Sequence, residues 1–262
     1  MNDTFRIALR AMVVAAMTLL TGSTATAQDT PTGPRVHGNV YGGGNLATIG
    51  GSVTVNMKAG TVVKDVYGGG ALANTNINNG TENVTSTYTT TVNLTGGTIM
   101  GDAYGGGLGR IEVTAVAGEK YTQEEIDAAQ EGDPAYGKTT DEWKVEPVEG
   151  VEGVEATVYG DINVNLGSNG GATATAFNIS TYDGTNIVKS GRVFGCNNLN
   201  GSPKGNVTVD IWKTVQGNKP RTATDKKDSE TASDHSYELA AVYGGGNLAG
   251  YSATDKKTMV TI

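Results

Sequence analysis

The sequence is poor in the residues from which disulfides, metal centres and catalytic triads are built. Its 262 residues include one cysteine, Cys196, and two histidines, His37 and His235. A single cysteine excludes an intrachain disulfide, and two histidines argue against a zinc site or a Ser-His-Asp triad. No Walker loop, zinc-ligand spacing or G-x-S-x-G motif is present. The sequence therefore predicts no cofactor and favours a protein that is not an enzyme.

Long apolar runs and large basic clusters are also missing. No segment stays apolar over the roughly 20 residues that a membrane span requires. The formal net charge is −8, and no basic patch is large enough to suggest a nucleic-acid partner.

The N-terminal segment has the pattern of a secretory signal peptide. Arg6 and Arg10 accompany a short apolar run at residues 11–20, and Ala25-Thr26-Ala27 forms an A-x-A cleavage site. This predicts that residues 1–27 are removed and that residues 28–36 form a linker. The mature chain would be exported to the extracellular space or cell surface, with the periplasm as an alternative. A buried N-terminal helix is the other interpretation of the run.

An aromatic-glycine motif recurs along the rest of the chain, most completely as V-Y-G-G-G-N-L. Internal repetition of this kind indicates an array of stacked units. Copies begin at Val40, Val66, Ala103, Val193 and Val242, and Val158-Tyr159-Gly160 is a shorter copy that leads directly into the next strand.

A second motif alternates apolar and polar residues, which is typical of a strand with one buried face. A third strand-like piece, at residues 61–63 and 98–100, leads back to the aromatic-glycine motif. The alternation predicts one continuous core formed by Val53, Val55, Met57, Val92, Leu94, Val164, Leu166, Val207, Val209 and Ile211.

The shortest complete unit, from Val40 to Val66, spans 26 residues, enough for two or three short strands and their corners. We therefore predict an all-β parallel β-solenoid (β-helix) of about five or six turns over residues 37–262. A propeller blade needs about four strands in 40–45 residues, and a sandwich needs hairpin turns between paired strands. Both alternatives fit the short unit less well. Glycine at the corners is expected to permit positive φ and close packing between turns.

Long insertions are expected at about residues 73–90, 118–155 and 213–238. The second has a net charge of −9 and contains a capping box, which predicts one short helix at about residues 122–130. It lacks the spacing of an EF-hand loop, so a solvated loop is favoured and Ca²⁺ binding is the alternative. The third insertion is polar and mixed in charge, typical of an exposed loop.

Two sets of polar residues recur at equivalent positions. Asp65 and Asp102 precede the aromatic residue in consecutive copies, about 5 Å apart if the copies stack. Such a pair suits corner hydrogen bonding, a cation site or a retaining glycosidase. A second set occupies one outward strand position and predicts either a hydrogen-bonded ladder or a sugar-binding strip: Asn56, Asn93 and Asn165, followed by Asp210.

The aromatic residues of the motif predict a ladder that stabilises the stack or binds sugar rings. Cys196 replaces a glycine and is interpreted as a small substitute, not a nucleophile, since no histidine is near it in sequence. Together with Asp65, Asp102 and the asparagines, the first three tyrosines complete a candidate ligand strip. The full ladder would be Tyr41, Tyr67, Tyr104, Tyr159, Phe194 and Tyr243.

The signal peptide, the V-Y-G-G-G-N-L copies and the T-V-N-L strands resemble repeat-rich surface proteins of Gram-negative bacteria. These include adhesin-like and autotransporter-passenger β-helix proteins. The resemblance implies exposure at the cell surface and a structural or adhesive role towards glycans, matrix or other cells. No active-site motif of those families is matched, and a C-terminal membrane barrel and a sorting domain are missing. A carbohydrate-active β-helix enzyme, a polysaccharide lyase or glycoside hydrolase, is the alternative.

The last residues, 258–262, correspond to the middle of a unit. We therefore expect further repeats, or a capping or anchoring domain, beyond Ile262.

Overall fold

Short strands of two to six residues make up nearly all of the regular structure in the computed structural model. The structure describes residues 33–78, 87–178, 190–215 and 239–262. These residues belong to one unit, Gly33–Ile262. The predicted signal peptide, residues 28–32 of the linker and most of the 213–238 insertion lie outside the described residues.

The described residues form three parallel sheets, each built from one of the sequence motifs. The motif sheet contains β2 (Val40–Tyr41), β5 (Val66–Tyr67), β8 (Ala103–Tyr104), β13 (Arg192–Phe194) and β15 (Ala241–Tyr243). The alternating sheet contains β3 (Val53–Met57), β6 (Thr89–Leu94), β11 (Asp161–Leu166), β14 (Val207–Ile211) and β16 (Thr258–Thr261). The connector sheet contains β1 (Arg35–Val36), β4 (Thr61–Val62), β7 (Thr98–Ile99) and β12 (Ala176–Phe177).

Neighbouring strands pair in parallel and in register. In the alternating sheet, the aligned residues at one position are Val53, Thr90, Ile162, Val207 and Thr258. From β1 to β14 the described chain visits the connector, motif and alternating sheets in that order and then begins again, and β15 and β16 extend the motif and alternating sheets. The prediction of an all-β chain with parallel sheets is therefore confirmed.

Alternation along the strands separates an inner apolar face from an outer polar face. In β11, Ile162, Val164 and Leu166 are fully buried, while the residues between them are half-buried. Eight of the ten predicted members lie in one buried cluster, and Ile211 packs half-buried against it. Val53 is buried as well but does not belong to that cluster. The other two sheets contribute further buried side chains, among them Val62, Val66, Ile99, Phe177 and Val193.

The motif contains glycine because neighbouring copies approach each other closely, and not because the backbone has a positive φ there. None of them has a left-handed backbone, so the expectation of positive φ at these corners is wrong. A methyl group on Gly105 would overlap the carbonyl oxygen of Gly195 and would lie 2.5 and 2.7 Å from Ile162 and Val164. Positive φ occurs instead at glycines such as Gly60 and Gly97, which lead into β4 and β7.

The largest excursion from the sheets, residues 110–154, is named the arm. Its two sides are joined by antiparallel bridges from Arg110 to Val154, from Val113 to Val151 and from Val116 to Val148. Farther out, β9 (Glu119–Lys120) pairs with β10 (Trp143–Val145). The excursion therefore begins earlier than the predicted residue 118, because the chain turns outward directly after Gly109.

The arm contains the predicted helix, α1 (Gln123–Ala128). Thr122 is its N-cap, and the capping box is confirmed. The Thr122 hydroxyl accepts from the Glu125 N–H at 3.2 Å, and the Glu125 carboxylate accepts from the Thr122 N–H at 2.9 Å. Lys144 contacts Glu125 at 2.6 Å and Glu119 at 3.2 Å, which ties α1 to β9 and β10.

The first predicted insertion, residues 73–90, is partly wrong. Ala73 and Ile77 are buried, and Thr75 forms parallel bridges with Ile49 and Val158. The strand β6 already begins at Thr89. Only residues 79–86 of this segment lie outside the described residues. Within the described ranges, no helix has the length and apolar character needed to cross a membrane.

Candidate functional site

Five aromatic rings form the predicted ladder, one from each strand of the motif sheet. Adjacent centroids are 4.8–5.0 Å apart and the rings are within 13° of parallel. The three inner rings, Tyr67, Tyr104 and Phe194, are at most 2% exposed. Each inner ring is covered on both faces by its neighbours, so no sugar can stack there. The ligand-strip interpretation is therefore corrected for Tyr67 and Tyr104, and Tyr41 keeps only the outer face at one end.

Tyr159 does not belong to this ladder. Phe194 stacks directly on Tyr104, which leaves no space for another ring between them. Val158 instead pairs with Thr75, in the series that starts at Ile49. Both Ile49 and Val158 come four residues before an alternating strand position, Val53 or Ile162. The position of Val158 in the fold therefore follows from the number of residues between it and the next alternating strand, and not from the letters V-Y-G.

The residues that precede the aromatic positions form a hydrogen-bonded column. The side chain of Asn39 accepts from the Asp65 N–H at 3.0 Å, and Asp65 accepts from the Asp102 N–H at 2.8 Å. Asp102 in turn accepts from the Arg192 N–H at 2.9 Å. Each side chain thus bonds the backbone of the next copy, as expected for carboxylates and amides at corners.

Asp102 also forms an ion pair with Arg192. The Arg192 guanidinium donates to its second carboxylate oxygen from Nη2 at 2.6 Å and from Nε at 3.1 Å. Burial raises the pKa of Asp102, and the Arg192 hydrogen bonds oppose that shift without cancelling it. A carboxylate that is 3% exposed and already bound in this way has no free face for a substrate or a cation. This arrangement favours hydrogen bonding at a corner as the role of Asp65 and Asp102, over catalysis or cation binding.

The outward asparagines form a ladder that remains accessible. Asn93 Nδ2 donates to Asn56 Oδ1 at 3.0 Å, and Asn165 Nδ2 donates to Asn93 Oδ1 at 3.0 Å. In the next strand, β14, the equivalent position is Asp210, which has no side-chain amide to donate to Asn165. Asn56, Asn93 and Asn165 are named the Asn strip, which follows the outer polar face of the alternating sheet.

A groove that sequence reasoning missed lies beside the Asn strip, where the alternating strands end. Its volume is about 670 Å³, and its walls include Lys58, Thr95, Thr173 and Lys213. None of the wall residues is acidic or aromatic. Lys58 directly follows β3 and Thr95 directly follows β6, so the outward alternation continues one step beyond the Asn strip. That continuation was the sequence signal for Lys58 and Thr95.

Cys196 lies buried in the motif and is not placed for nucleophilic chemistry. Its Sγ contacts the Gly244 carbonyl oxygen at 3.3 Å, and burial raises the pKa of the thiol to about 12. Across the described ranges, no group of three or more histidine, cysteine, aspartate or glutamate side chains could hold a metal ion. No protein-family model, curated protein or solved structure gives a significant match to this chain.

Proposed function

We propose that this chain is an exported parallel β-solenoid that acts as a structural or adhesive repeat protein at the cell surface. The observation that carries the proposal is the in-register stacking of three parallel sheets, visited in a fixed cyclic order around one apolar core. Each circuit of the chain would be one turn of the solenoid, and the five strands of the motif sheet correspond to five turns.

The distribution of polar groups supports a non-enzymatic role. The carboxylates of Asp65 and Asp102, which adjacent copies bring together, are engaged in the hydrogen-bonded column, and Asp102 also forms the Arg192 ion pair. The Asn strip and the groove beside it present neutral amides, hydroxyls and two lysines, and no carboxylate lines the groove. Such a surface suits binding of an extended ligand more than bond cleavage, which requires positioned acids and bases.

Export is supported by the signal-peptide pattern of residues 1–27. Contact with glycans, matrix or other cells would take place through the outer polar face and the arm. The carbohydrate-active enzyme remains the alternative function, and no further observation favours it.

Secretion and binding can be tested with the full-length precursor. Export predicts a mature protein that begins at Gln28, which N-terminal sequencing of the secreted product would detect. The mature protein should bind to immobilised glycans or matrix and release no product from pectin, alginate or glycosaminoglycans. Turnover that disappears in Asp65→Asn or Asp102→Asn would contradict the proposal and establish the enzyme alternative.

A further inference from the structure

We propose that the groove between Lys58 and Lys213 binds an acidic glycan, a chain of sugars that carries carboxylate or sulfate groups. The inference rests on the proposed function and assigns a ligand class and residues to it. Lys58 and Lys213 would pair with anionic groups of the glycan, and Thr173 would exchange hydrogen bonds with its hydroxyls. Thr95, whose hydroxyl donates to the Met57 carbonyl oxygen at 3.3 Å, would accept from them.

The charge of the groove is opposite to that of the whole protein. The chain has a net charge of −8, yet the groove walls hold two lysines and no acidic residue. Within the described part of the chain, neither lysine forms an ion pair. Two lysines that line one groove without an acidic partner among its walls attract an anionic ligand.

The positions of the two lysines favour an extended ligand over a small anion. Lys58 follows β3 and Lys213 follows β14 after one intervening residue, and these strands are separated by β6 and β11 in the sheet. Three strand spacings correspond to roughly 14 Å. This is the spacing of the strands that precede the two lysines, and a glycan with several charged units can contact both side chains along it.

The surface between the lysines has the groups that recognise sugar hydroxyls. Thr95 and Thr173 contribute hydroxyls, and the Asn strip continues the polar surface along the same face. Hydroxyls and amides both donate and accept hydrogen bonds, as sugar hydroxyls do. Single-stranded nucleic acid is disfavoured, because successive bases stack on several aromatic side chains, whereas the groove walls have none and Trp212 next to Lys213 offers a single ring.

Binding can be measured through one of the two tryptophans. Trp212 is 46% exposed and directly precedes Lys213. In a Trp143→Phe background, Trp212 is the remaining tryptophan, so its emission reports on the groove. Polygalacturonate should change this emission, and added salt should weaken the effect, because exposed charge pairs are screened. Neutral dextran should cause no comparable change.

The charge-matched comparison uses two double variants of the same background. Lys58→Gln with Lys213→Gln removes both groove charges, whereas Lys64→Gln with Lys256→Gln removes two charges outside the groove walls. We expect the dissociation constant for polygalacturonate to rise about tenfold or more in the groove variant, since charge-assisted hydrogen bonds are lost. The control variant should bind as the parent does, and circular dichroism melts should coincide for all three.

Several results would overturn the inference. These are no binding of polygalacturonate or heparin, an equal loss in both double variants, or equal affinity for single-stranded DNA. Failure of the inference is distinguishable from failure of the proposed function. A secreted protein that adheres to matrix or neutral glycans but ignores acidic ones would contradict only the inference. A protein that is not exported would contradict the proposed function.

Discussion

The requirement for glycine in the motif can be tested with one substitution at two equivalent positions. Gly106 and Gly245 both occupy the second glycine of their copies, and neither has a positive φ. A methyl group on Gly106 would overlap Asn197 Oδ1 and lie 2.7 and 2.8 Å from the backbone of Asn197 and Cys196. A methyl group on Gly245 would meet nothing within 4 Å. The two glycines therefore occupy the same position of the motif but differ in how closely their surroundings pack against them.

The magnitudes follow from two opposing effects. Alanine in place of glycine restricts the unfolded chain and stabilises a compatible site by about 0.4–1 kcal/mol. Overpacking costs about 1–3 kcal/mol, and contacts with backbone atoms, which cannot rotate away, favour the upper end of that range. We expect Gly106→Ala to lose about 2 kcal/mol of unfolding free energy, which lowers Tm by about 4–8 °C for a domain of this size. Gly245→Ala should leave Tm unchanged or raise it slightly.

The melting temperatures of the two purified variants and the parent can be compared by calorimetry at one pH and one concentration. Equal melting temperatures, or a lower one for Gly245→Ala, would refute the reasoning. The glycine run would then have to be explained by backbone conformation and not by the approach of neighbouring copies.

Four further predictions follow from the packing. Val164→Asp buries an unpaired charge in the core and should abolish cooperative unfolding as followed by circular dichroism; a melt like that of the parent would contradict the single core. Replacement of residues 110–154 by a short Gly-Ser linker should leave Tm nearly unchanged, because the arm adds little to the core, whereas loss of soluble protein would show that the arm docks on the sheets. Asp210→Asn supplies the donor that Asn165 lacks and should add about 0.5–1.5 kcal/mol in urea unfolding, and a destabilised variant would exclude the extended ladder. Cys196 should resist a thiol reagent at pH 8 and react fully in denaturant, since its pKa is raised to about 12; rapid native labelling would contradict its burial.

The two main strand motifs could be predicted because the same physical constraint acts in every copy. Alternation of apolar and polar residues identified the strands of the alternating sheet, and the apolar residue with its ring identified the motif sheet. The Asn strip was predictable for the same reason, since equivalent positions in register must stack. The reason for the glycines was predicted only in part, because sequence cannot distinguish a sharp corner from a close contact. Gly105 and Gly106 show that the contact decides.

The groove could not be predicted, because it joins residues that only the register brings together. Lys58 and Lys213 are separated in sequence by the arm and by segments of unequal length, so the distance between them depends on how many strands lie between β3 and β14 in the alternating sheet. If Val158-Tyr159-Gly160 counted as a full copy of the motif, a further circuit of the sheets would be required and Lys213 would lie one strand spacing farther from Lys58. The direct pairing of β6 with β11 and the bridge from Thr75 to Val158 both exclude that circuit. The distance between the two lysines, and with it the ligand that the groove can hold, therefore depends on strand pairings that the letters of the motif alone would misassign.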